Sequence, residues 1–306
     1  MTIDDSLLQT LRGITGPDGV LTAPEARLAY ESDARPFKGH PDLVIIPRAA
    51  GEVAPVVRAL AAAGMPFLPW GTGTGLAGGA CAARGGALIV LSRLRRILEL
   101  NPADGYAVVE AGVVNLHLTR AAEPSGLLFA PDPGSQQACT IGGNIAANSG
   151  GPHTLKSGVT TNHVLGLEVV LPDGETVTFG GAAEDAPGLD LRGLFTGSEG
   201  TLGIVTTATV RLTRPWPAWR TLLAAFPDFE SATRAVSAVI AAGIVPAALE
   251  MMDRKIIKAV EDAFHVGLPR DAGAVLIVEV DGLREGLDRV AGEVERFAGA
   301  GGRGRY

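Results

Sequence analysis

Cysteine, basic charge and long hydrophobic runs are all scarce in this chain of 306 residues. The two cysteines, Cys81 and Cys139, favour buried, reduced thiols over a disulfide or a metal-binding pair. Lysine and arginine together number 26 against 33 acidic residues, which gives a net charge of −7. Because the sequence also has no basic stripe, it attracts nucleic acid weakly, and we expect no nucleic-acid partner.

Membrane and export signals are missing as well. No apolar run approaches the length of about 20 residues that spans a bilayer. The N-terminal sequence MTIDDSLLQT is acidic and lacks the apolar core of a secretory signal. We therefore expect a cytoplasmic protein that is not integral to a membrane. A hydrophobic content of 46% with only 19% charged residues favours a compact globular chain over a disordered one.

Metal-binding patterns are also absent from the sequence. The five histidines are His40, His117, His153, His163 and His265, and no two of them have the spacing of metal ligands on a helix. The residues alone therefore predict no metal site in this chain.

Glycine, by contrast, is concentrated in the stretch FLPWGTGTGLAGGA at residues 67–80. Glycines at this density allow several backbone N–H groups to turn toward one point. Such a concave group of donors suits a phosphate or pyrophosphate. The stretch therefore predicts a nucleotide cofactor site, with a glycine-rich surface loop as the alternative.

The type of nucleotide site follows from what flanks these glycines. Gly73, Gly75 and Gly78 match the dinucleotide fingerprint G-x-G-x-x-G, which needs a strand before it and a helix opening inside it. Pro66 and Pro69 interrupt the apolar run upstream, so we interpret the match as accidental. No Gly-Lys-Ser/Thr follows, which excludes a P-loop. The remaining interpretation is a loop without its own helix that holds phosphates through backbone amides.

Two further glycine-rich segments follow in the chain. Residues 131–151 read PDPGSQQACTIGGNIAANSGG, and residues 195–206 read FTGSEGTLGIVT. We interpret the three segments together as separate walls of one elongated ligand site.

These three segments resemble the FAD-binding domain of the vanillyl-alcohol-oxidase-type flavoproteins, also called the PCMH type. The stretches YESDARPFKGHPDLVIIPRAAGEV and GIVPAALEMMDRKIIKAVEDAFHVGLPRDA are similar to the same group. Within it, the chain looks most like the FAD subunits of bacterial glycolate oxidase and the D-lactate dehydrogenases. The resemblance runs from about Tyr30 to about Gly282.

The resemblance implies an α+β fold with three parts. An N-terminal helical segment would cover residues 1–38, a two-subdomain PCMH-type FAD-binding domain residues 39–215, and the start of a ferredoxin-like substrate or cap domain residues 216–306. Pro215 and Pro217, which bracket Trp216, mark a plausible boundary. Because the family continues well beyond this point, we expect the cap domain to be incomplete here.

The resemblance also implies a set of cofactor-binding residues. Backbone N–H groups from Gly71 to Leu76 would hold the pyrophosphate, the second segment would run along the pyrophosphate and isoalloxazine, and the third would close over the ligand. Tight turns and strand packing remain the structural alternatives, and Glu199 has the alternative of capping its own turn. The implied residues are Pro69, Gly71, Thr72, Gly73, Thr74, Gly75, Leu76, Pro131, Thr140, Gly142, Gly143, Asn144, Ala146, Asn148, Gly150, Gly158, Val164, Glu199, Gly200, Gly203 and Ile204.

Three charged or titratable residues have open interpretations. Lys156 would stabilise an anionic reduced flavin, or it is a solvated lysine. His153 fits a structural histidine better than a catalytic base. Glu250 resembles a residue near the substrate mouth, with a salt-bridged strand glutamate equally plausible.

The implied function is oxidation of a small 2-hydroxy acid, glycolate or D-lactate, to the 2-oxo acid by hydride transfer to flavin N5. The catalytic residues and any divalent metal ligands are expected in the missing C-terminal part. No histidine lies between His40 and His117, so we predict non-covalent FAD. Flavin and iron–sulfur partner subunits, and a peripheral position at the inner membrane face, belong to the same expectation. The alternatives are a non-catalytic FAD-binding subunit of an oxidase complex and an NADPH-dependent reductase.

Overall fold

The computed structural model describes residues 3–182, 188–299 and 303–305. The helices are α1 (Asp5–Thr15), α2 (Pro24–Arg27), α3 (Val53–Ala62), α4 (Asn115–Ala122), α5 (Ile141–Ala147), α6 (Thr154–Ser157), α7 (Leu191–Phe195), α8 (Phe229–Ala241), α9 (Arg254–Phe264) and α10 (Arg284–Gly299). The strands are β1 (Val20–Leu21), β2 (Leu43–Ile45), β3 (Phe67–Trp70), β4 (Ala87–Val90), β5 (Ile97–Asn101), β6 (Tyr106–Glu110), β7 (Val164–Val170), β8 (Thr176–Gly180), β9 (Ile204–Arg211), β10 (Ala218–Phe226), β11 (Ala248–Asp253), β12 (Ala274–Gly282) and β13 (Arg303–Arg305).

The chain divides into two compact units. The first unit contains residues 1–150 and 159–214, and the second contains residues 151–158 and 215–306. The short stretch 151–158 therefore packs with the second unit although both of its ends continue into the first.

A small sheet of order β1-β2-β4-β3 forms one part of the first unit. β2 and β3 both run parallel to β4, whose residues are all buried. A continuous apolar run of this kind is typical of a parallel strand covered on both faces. Helix α3 packs its buried Val53, Val56, Val57 and Leu60 into the same core as α1.

A five-stranded antiparallel sheet of order β5-β6-β9-β7-β8 forms the other part of the first unit. Its core includes Ile141 and Ile145 of α5, both fully buried. β7 and β8 are joined by a turn in which Gly174 has φ +83° and Asp173 Oδ1 accepts the N–H of Glu175 at 2.9 Å. The Asp-Gly pair supplies the positive φ that a tight hairpin needs.

The second unit is an antiparallel sheet of order β11-β12-β10-β13. Helices α8 and α10 share a hydrophobic core with one face of this sheet, and α9 supplies Ile257 to a smaller cluster with Val275. Helix α9 is followed by a turn in which Glu261 accepts the N–H groups of Gly267 at 3.0 Å and Leu268 at 2.9 Å. These two bonds lower the pKa of the Glu261 carboxyl.

Candidate cofactor-binding site

The three glycine-rich segments meet around one open cavity in the first unit. Its volume of about 1060 Å³ includes the open mouth. Fifteen of the predicted residues line it: Pro69, Gly71, Thr72, Gly73, Thr74, Gly75, Leu76, Thr140, Gly142, Gly143, Asn144, Ala146, Glu199, Gly200 and Gly203.

Six predicted residues are not among those that line the cavity, and their role in cofactor binding stays a prediction. They are Pro131, Asn148, Gly150, Gly158, Val164 and Ile204. Sequence reasoning did not single out several residues that do line it, among them Asp33, Trp70, Cys139, Phe195 and Ser198.

The first glycine segment follows directly from strand β3. Because β3 runs parallel to β4, the loop leaves the carboxyl end of a parallel strand, where ligands of α/β sheets commonly bind. Two glycines in the loop have positive φ, Gly73 at +67° and Gly78 at +85°. Gly71 is needed for a different reason, since a Cβ there would lie 2.9 Å from Thr140 Oγ1. Close approach of the first and second segments therefore depends on this glycine.

Asp33 fixes the outer half of this loop. Its side chain is buried, and its two oxygens accept the N–H groups of Gly78 at 2.8 Å and Arg35 at 2.9 Å. The N–H of Ala34 also donates to the carbonyl of Gly75. A carboxylate 45 residues away in the sequence therefore holds the glycine loop in its curved shape.

The second segment forms the short helix α5. Thr140 caps it, with Oγ1 accepting the N–H of Gly143 at 3.2 Å. Gly142 packs against the end of β6, because a Cβ there would lie 2.7 Å from the Ala111 Cβ. Packing within the protein is thus a sufficient reason for the glycine at 142.

Asn144 presents an incompletely bonded donor at the cavity. Its side chain is 1% exposed, and its buried Nδ2 has no hydrogen-bond partner in the described part of the chain beyond a weak contact with the Cys139 thiol. A buried amide without a full partner is costly, so a polar group of a ligand would satisfy it. Burial raises the pKa of the neighbouring Cys139 thiol.

The third segment is attached to the C-terminal end of α5. The N–H of Gly197 donates to the carbonyl of Ile145, and that of Glu199 to the carbonyl of Ala146, both at 2.8 Å. Gly200 has φ +73° and abuts Pro69, since an added Cβ would overlap the proline ring. The third segment therefore contacts both of the others.

No lysine, arginine or histidine lines the cavity, within the part of the chain that the structure describes. Its hydrogen-bond donors include backbone N–H groups, hydroxyls and the Asn144 amide. A bound phosphate would be held by these neutral dipoles rather than by an ion pair.

Lys156 and His153 belong to the second unit and do not line this cavity. Lys156 pairs with the Asp281 carboxylate, and its Nζ lies 5.1 Å from the centre of the Trp216 ring. His153 Nε2 lies 3.1 Å from Glu279 Oε1. The suggested place of Lys156 beside the flavin ring therefore gains no support from these contacts.

The described residues contain neither a cluster of metal ligands nor a helix that could cross a membrane. Within residues 3–182, 188–299 and 303–305, no group of three or more His, Cys, Asp and Glu side chains is arranged to hold a metal ion. No helix in those ranges is both long and apolar enough to cross a membrane.

Known proteins match this chain along most of its length. Residues 41–180 match the family described as FAD binding domain, and residues 217–305 match FAD linked oxidases, C-terminal domain. The glycolate oxidase subunit GlcD of Escherichia coli strain K12 is 44% identical over 279 residues, which cover 91% of this chain and 56% of that protein. GlcD of Bacillus subtilis strain 168 is 40% identical over 301 residues, covering 98% and 64%. The D-lactate dehydrogenase of Anaerostipes hadrus is 33% identical over 248 residues, covering 80% and 52%.

The fold also has close counterparts among solved structures. p-Cresol methylhydroxylase with substrate bound aligns with a TM-score of 0.82 at 19% identity, covering 98% of this chain and 65% of that one. The fold is therefore a mixed α+β architecture, as the sequence predicted. The chain belongs to the FAD-linked oxidases, and FAD is the cofactor of its FAD binding domain. It spans between 52% and 64% of the length of these three relatives.

The cavity fits this cofactor on its own geometry. Asn144 offers a buried donor, and the glycines at 71 and 200 let the surrounding segments close around a narrow space. The apolar residues Leu91 and Val205 supply a hydrophobic part of the lining.

Proposed function

We propose that this chain is the FAD-binding part of a dehydrogenase or oxidase that converts a small 2-hydroxy acid into the 2-oxo acid. The observation that carries the proposal is the cavity formed by three glycine-rich segments, in a chain 44% and 40% identical to two proteins named as glycolate oxidase subunits. The names of the relatives favour glycolate or D-lactate as substrate.

Bound FAD would supply the hydride acceptor, flavin N5, and the residues of this chain would hold the cofactor in place. In this proposal the N–H groups of residues 71–76, with the hydroxyls of Thr72 and Thr74, bind the pyrophosphate. The Asn144 amide donates to a cofactor oxygen, and the apolar residues of the lining keep water from the ring. We assign no residue of this chain as the base that takes the substrate hydroxyl proton.

We propose that the FAD is held without a covalent bond. No histidine lines the cavity within the described part of the chain. The side chain that usually forms a covalent bond between FAD and the first glycine loop is therefore missing from that lining. The proposal extends to flavin and iron–sulfur partner subunits, and to a cytoplasmic location peripheral to the inner membrane. Two of the relatives are named as subunits, which supports the existence of partner subunits.

An absorbance titration of the purified chain with FAD tests the proposal. We expect flavin bands near ~375 and ~450 nm that acid precipitation releases into the supernatant. The loaded protein is then mixed anaerobically with glycolate, D-lactate or L-lactate. Loss of the longer-wavelength band with glycolate or D-lactate, and not with L-lactate, supports the substrate class.

Three results would contradict the proposal or one part of it. A chain that takes up no FAD would overturn it entirely. A chain that binds FAD but is bleached by L-lactate alone would contradict glycolate and D-lactate as substrates. Flavin that stays with the acid precipitate would show a covalent bond and refute the predicted mode of attachment.

A further inference from the structure

Glu199 has an unusual backbone conformation for its residue type. Its φ is +54°, and among the described non-glycine residues only Asn148 and His265 share a positive φ. A left-handed conformation costs an L-residue about 1–2 kcal/mol, and asparagine tolerates it better than glutamate does. The N–H of Glu199 donates to the carbonyl of Ala146, which holds the residue in this conformation. The strained geometry directs the side chain at residue 199 along the first glycine loop.

The carboxylate of Glu199 is partly buried and makes no hydrogen bond or ion pair with the residues that the structure describes. It lies against Gly79, and a Cβ at that glycine would overlap Oε2. The other carboxylate at the cavity, on Asp33, is fully engaged by two backbone N–H groups. Glu199 is therefore an acceptor that is held between two loops and left without a donor.

The charge of this acceptor limits what it can contact. A carboxylate repels the anionic pyrophosphate that the neighbouring N–H groups suit, so it must contact a part of the ligand that donates hydrogen bonds. In FAD the donors on either side of the pyrophosphate are hydroxyls, those of the ribose on one side and of the ribityl chain on the other. A carboxylate accepts two hydroxyl donors well, and such bonds are stronger than those between neutral groups.

We propose that Glu199 accepts hydrogen bonds from the sugar hydroxyls that flank the FAD pyrophosphate and so selects cofactors that carry them. The proposal rests on FAD binding by this cavity. Asn144 and Glu199 then have complementary roles, since the first donates to the cofactor and the second accepts from it. The open space at Gly79 is what allows the carboxylate to reach that position.

The test is the equilibrium affinity of the whole chain for FAD, measured by quenching of flavin fluorescence. Glu199→Gln keeps the shape of the side chain and removes its charge, and we expect it to weaken FAD binding about tenfold. Glu175→Gln is the matched control, because Glu175 is exposed in the turn between β7 and β8 of the same unit and does not line the cavity. It should leave the affinity unchanged.

A second variant displaces the carboxylate without removing it. Gly79 does not have a positive φ, so Gly79→Ala is allowed by the backbone but pushes against Oε2. We expect a loss of FAD affinity comparable to that of Glu199→Gln. Gly51→Ala is its control, since a Cβ at Gly51 meets no atom within 4 Å and Gly51 does not line the cavity. This pair keeps the proposal testable if Glu199→Gln does not fold.

Fragments of the cofactor distinguish the two sources of hydroxyls. If the ribose is the partner, Glu199→Gln weakens ADP binding more than it weakens binding of 2′-deoxy-ADP, which lacks one of the two ribose hydroxyls, and it leaves FMN binding unchanged. If the ribityl chain is the partner, FMN binding falls and ADP binding does not. FAD affinity within twofold of the wild type for both Glu199→Gln and Gly79→Ala, or tighter binding by Glu199→Gln, would overturn the proposal for Glu199 alone. A wild-type chain that binds no FAD would overturn the proposed function with it.

Discussion

Replacing Gly200 with alanine is the sharpest test of how the first and third glycine segments meet. Two costs add at this position. The residue has φ +73°, where a Cβ costs about 1–2 kcal/mol, and the same Cβ would overlap the Pro69 ring and approach its Cδ to 3.1 Å. Overpacking of this kind typically costs about 1–3 kcal/mol. Together they predict a loss of about 2–5 kcal/mol in the free energy of unfolding of the first unit.

Thermal release of FAD, followed by the rise in flavin fluorescence, measures this effect. For a unit of this size each kcal/mol shifts the midpoint by about 2–4 °C, so Gly200→Ala should lower it by roughly 4–20 °C. Gly51→Ala is the control, because Gly51 belongs to the same unit but does not line the cavity, has no positive φ and leaves open space around the new Cβ. It should shift the midpoint little, or raise it slightly through lower entropy of the unfolded chain.

A double variant separates the two costs. Adding Pro69→Ala to Gly200→Ala removes the ring that the new Cβ meets but leaves the backbone strain. The combined effect should therefore be smaller than the sum of the two single effects. A Gly200→Ala midpoint within about 2 °C of that of Gly51→Ala, or strict additivity with Pro69→Ala, would refute the packing described for these two segments.

Three further predictions concern other residues. Asp33→Ala should weaken FAD binding severalfold in a fluorescence titration. The variant leaves the N–H of Gly78 without its acceptor, which costs about 1–3 kcal/mol. Unchanged affinity would contradict this prediction. Cys139 should alkylate more slowly than Cys81, and more slowly still with FAD bound, as peptide mass spectrometry would show; equal rates would count against its burial in the cavity. Glu261→Gln should lower thermal stability at neutral pH, because only the ionised carboxylate is stabilised by its two N–H donors. The difference from the wild type should shrink as the pH falls below the unfolded-state pKa of about 4.3, and it should vanish once the pH is below the lowered pKa of the folded state. A difference that persists in strong acid would be inconsistent with that origin.

The glycine segments were recognisable from sequence because their signal is local. Each consists of adjacent small residues whose backbone freedom can be judged without knowing the fold, as at Gly73 and Gly78, which do have positive φ. The Asp-Gly turn between β7 and β8 is of the same kind. In both cases the chemistry of two or three neighbouring residues determines the conformation.

Residues whose role depends on distant partners were not recognisable in this way. Asp33 meets Gly78 only after the chain has folded, and nothing in the letters SDARPF distinguishes a buried anchor from an ordinary turn aspartate. Lys156 was interpreted without its partner Asp281, which lies 125 residues further on. Charge and sequence neighbourhood do not specify which opposite charge a flexible lysine will meet.

The stretch 151–158 has a consequence for how this chain tolerates recombination. His153 contacts Glu279, and Lys156 contacts Asp281. The two residues of each pair differ in number by 126 and 125 respectively. A chimera joined to a relative near residue 215 would combine the histidine and lysine of one parent with the carboxylates of the other. Exchange of the second unit between relatives therefore preserves these pairs only if both pieces, 151–158 and 215–306, are inherited from the same parent.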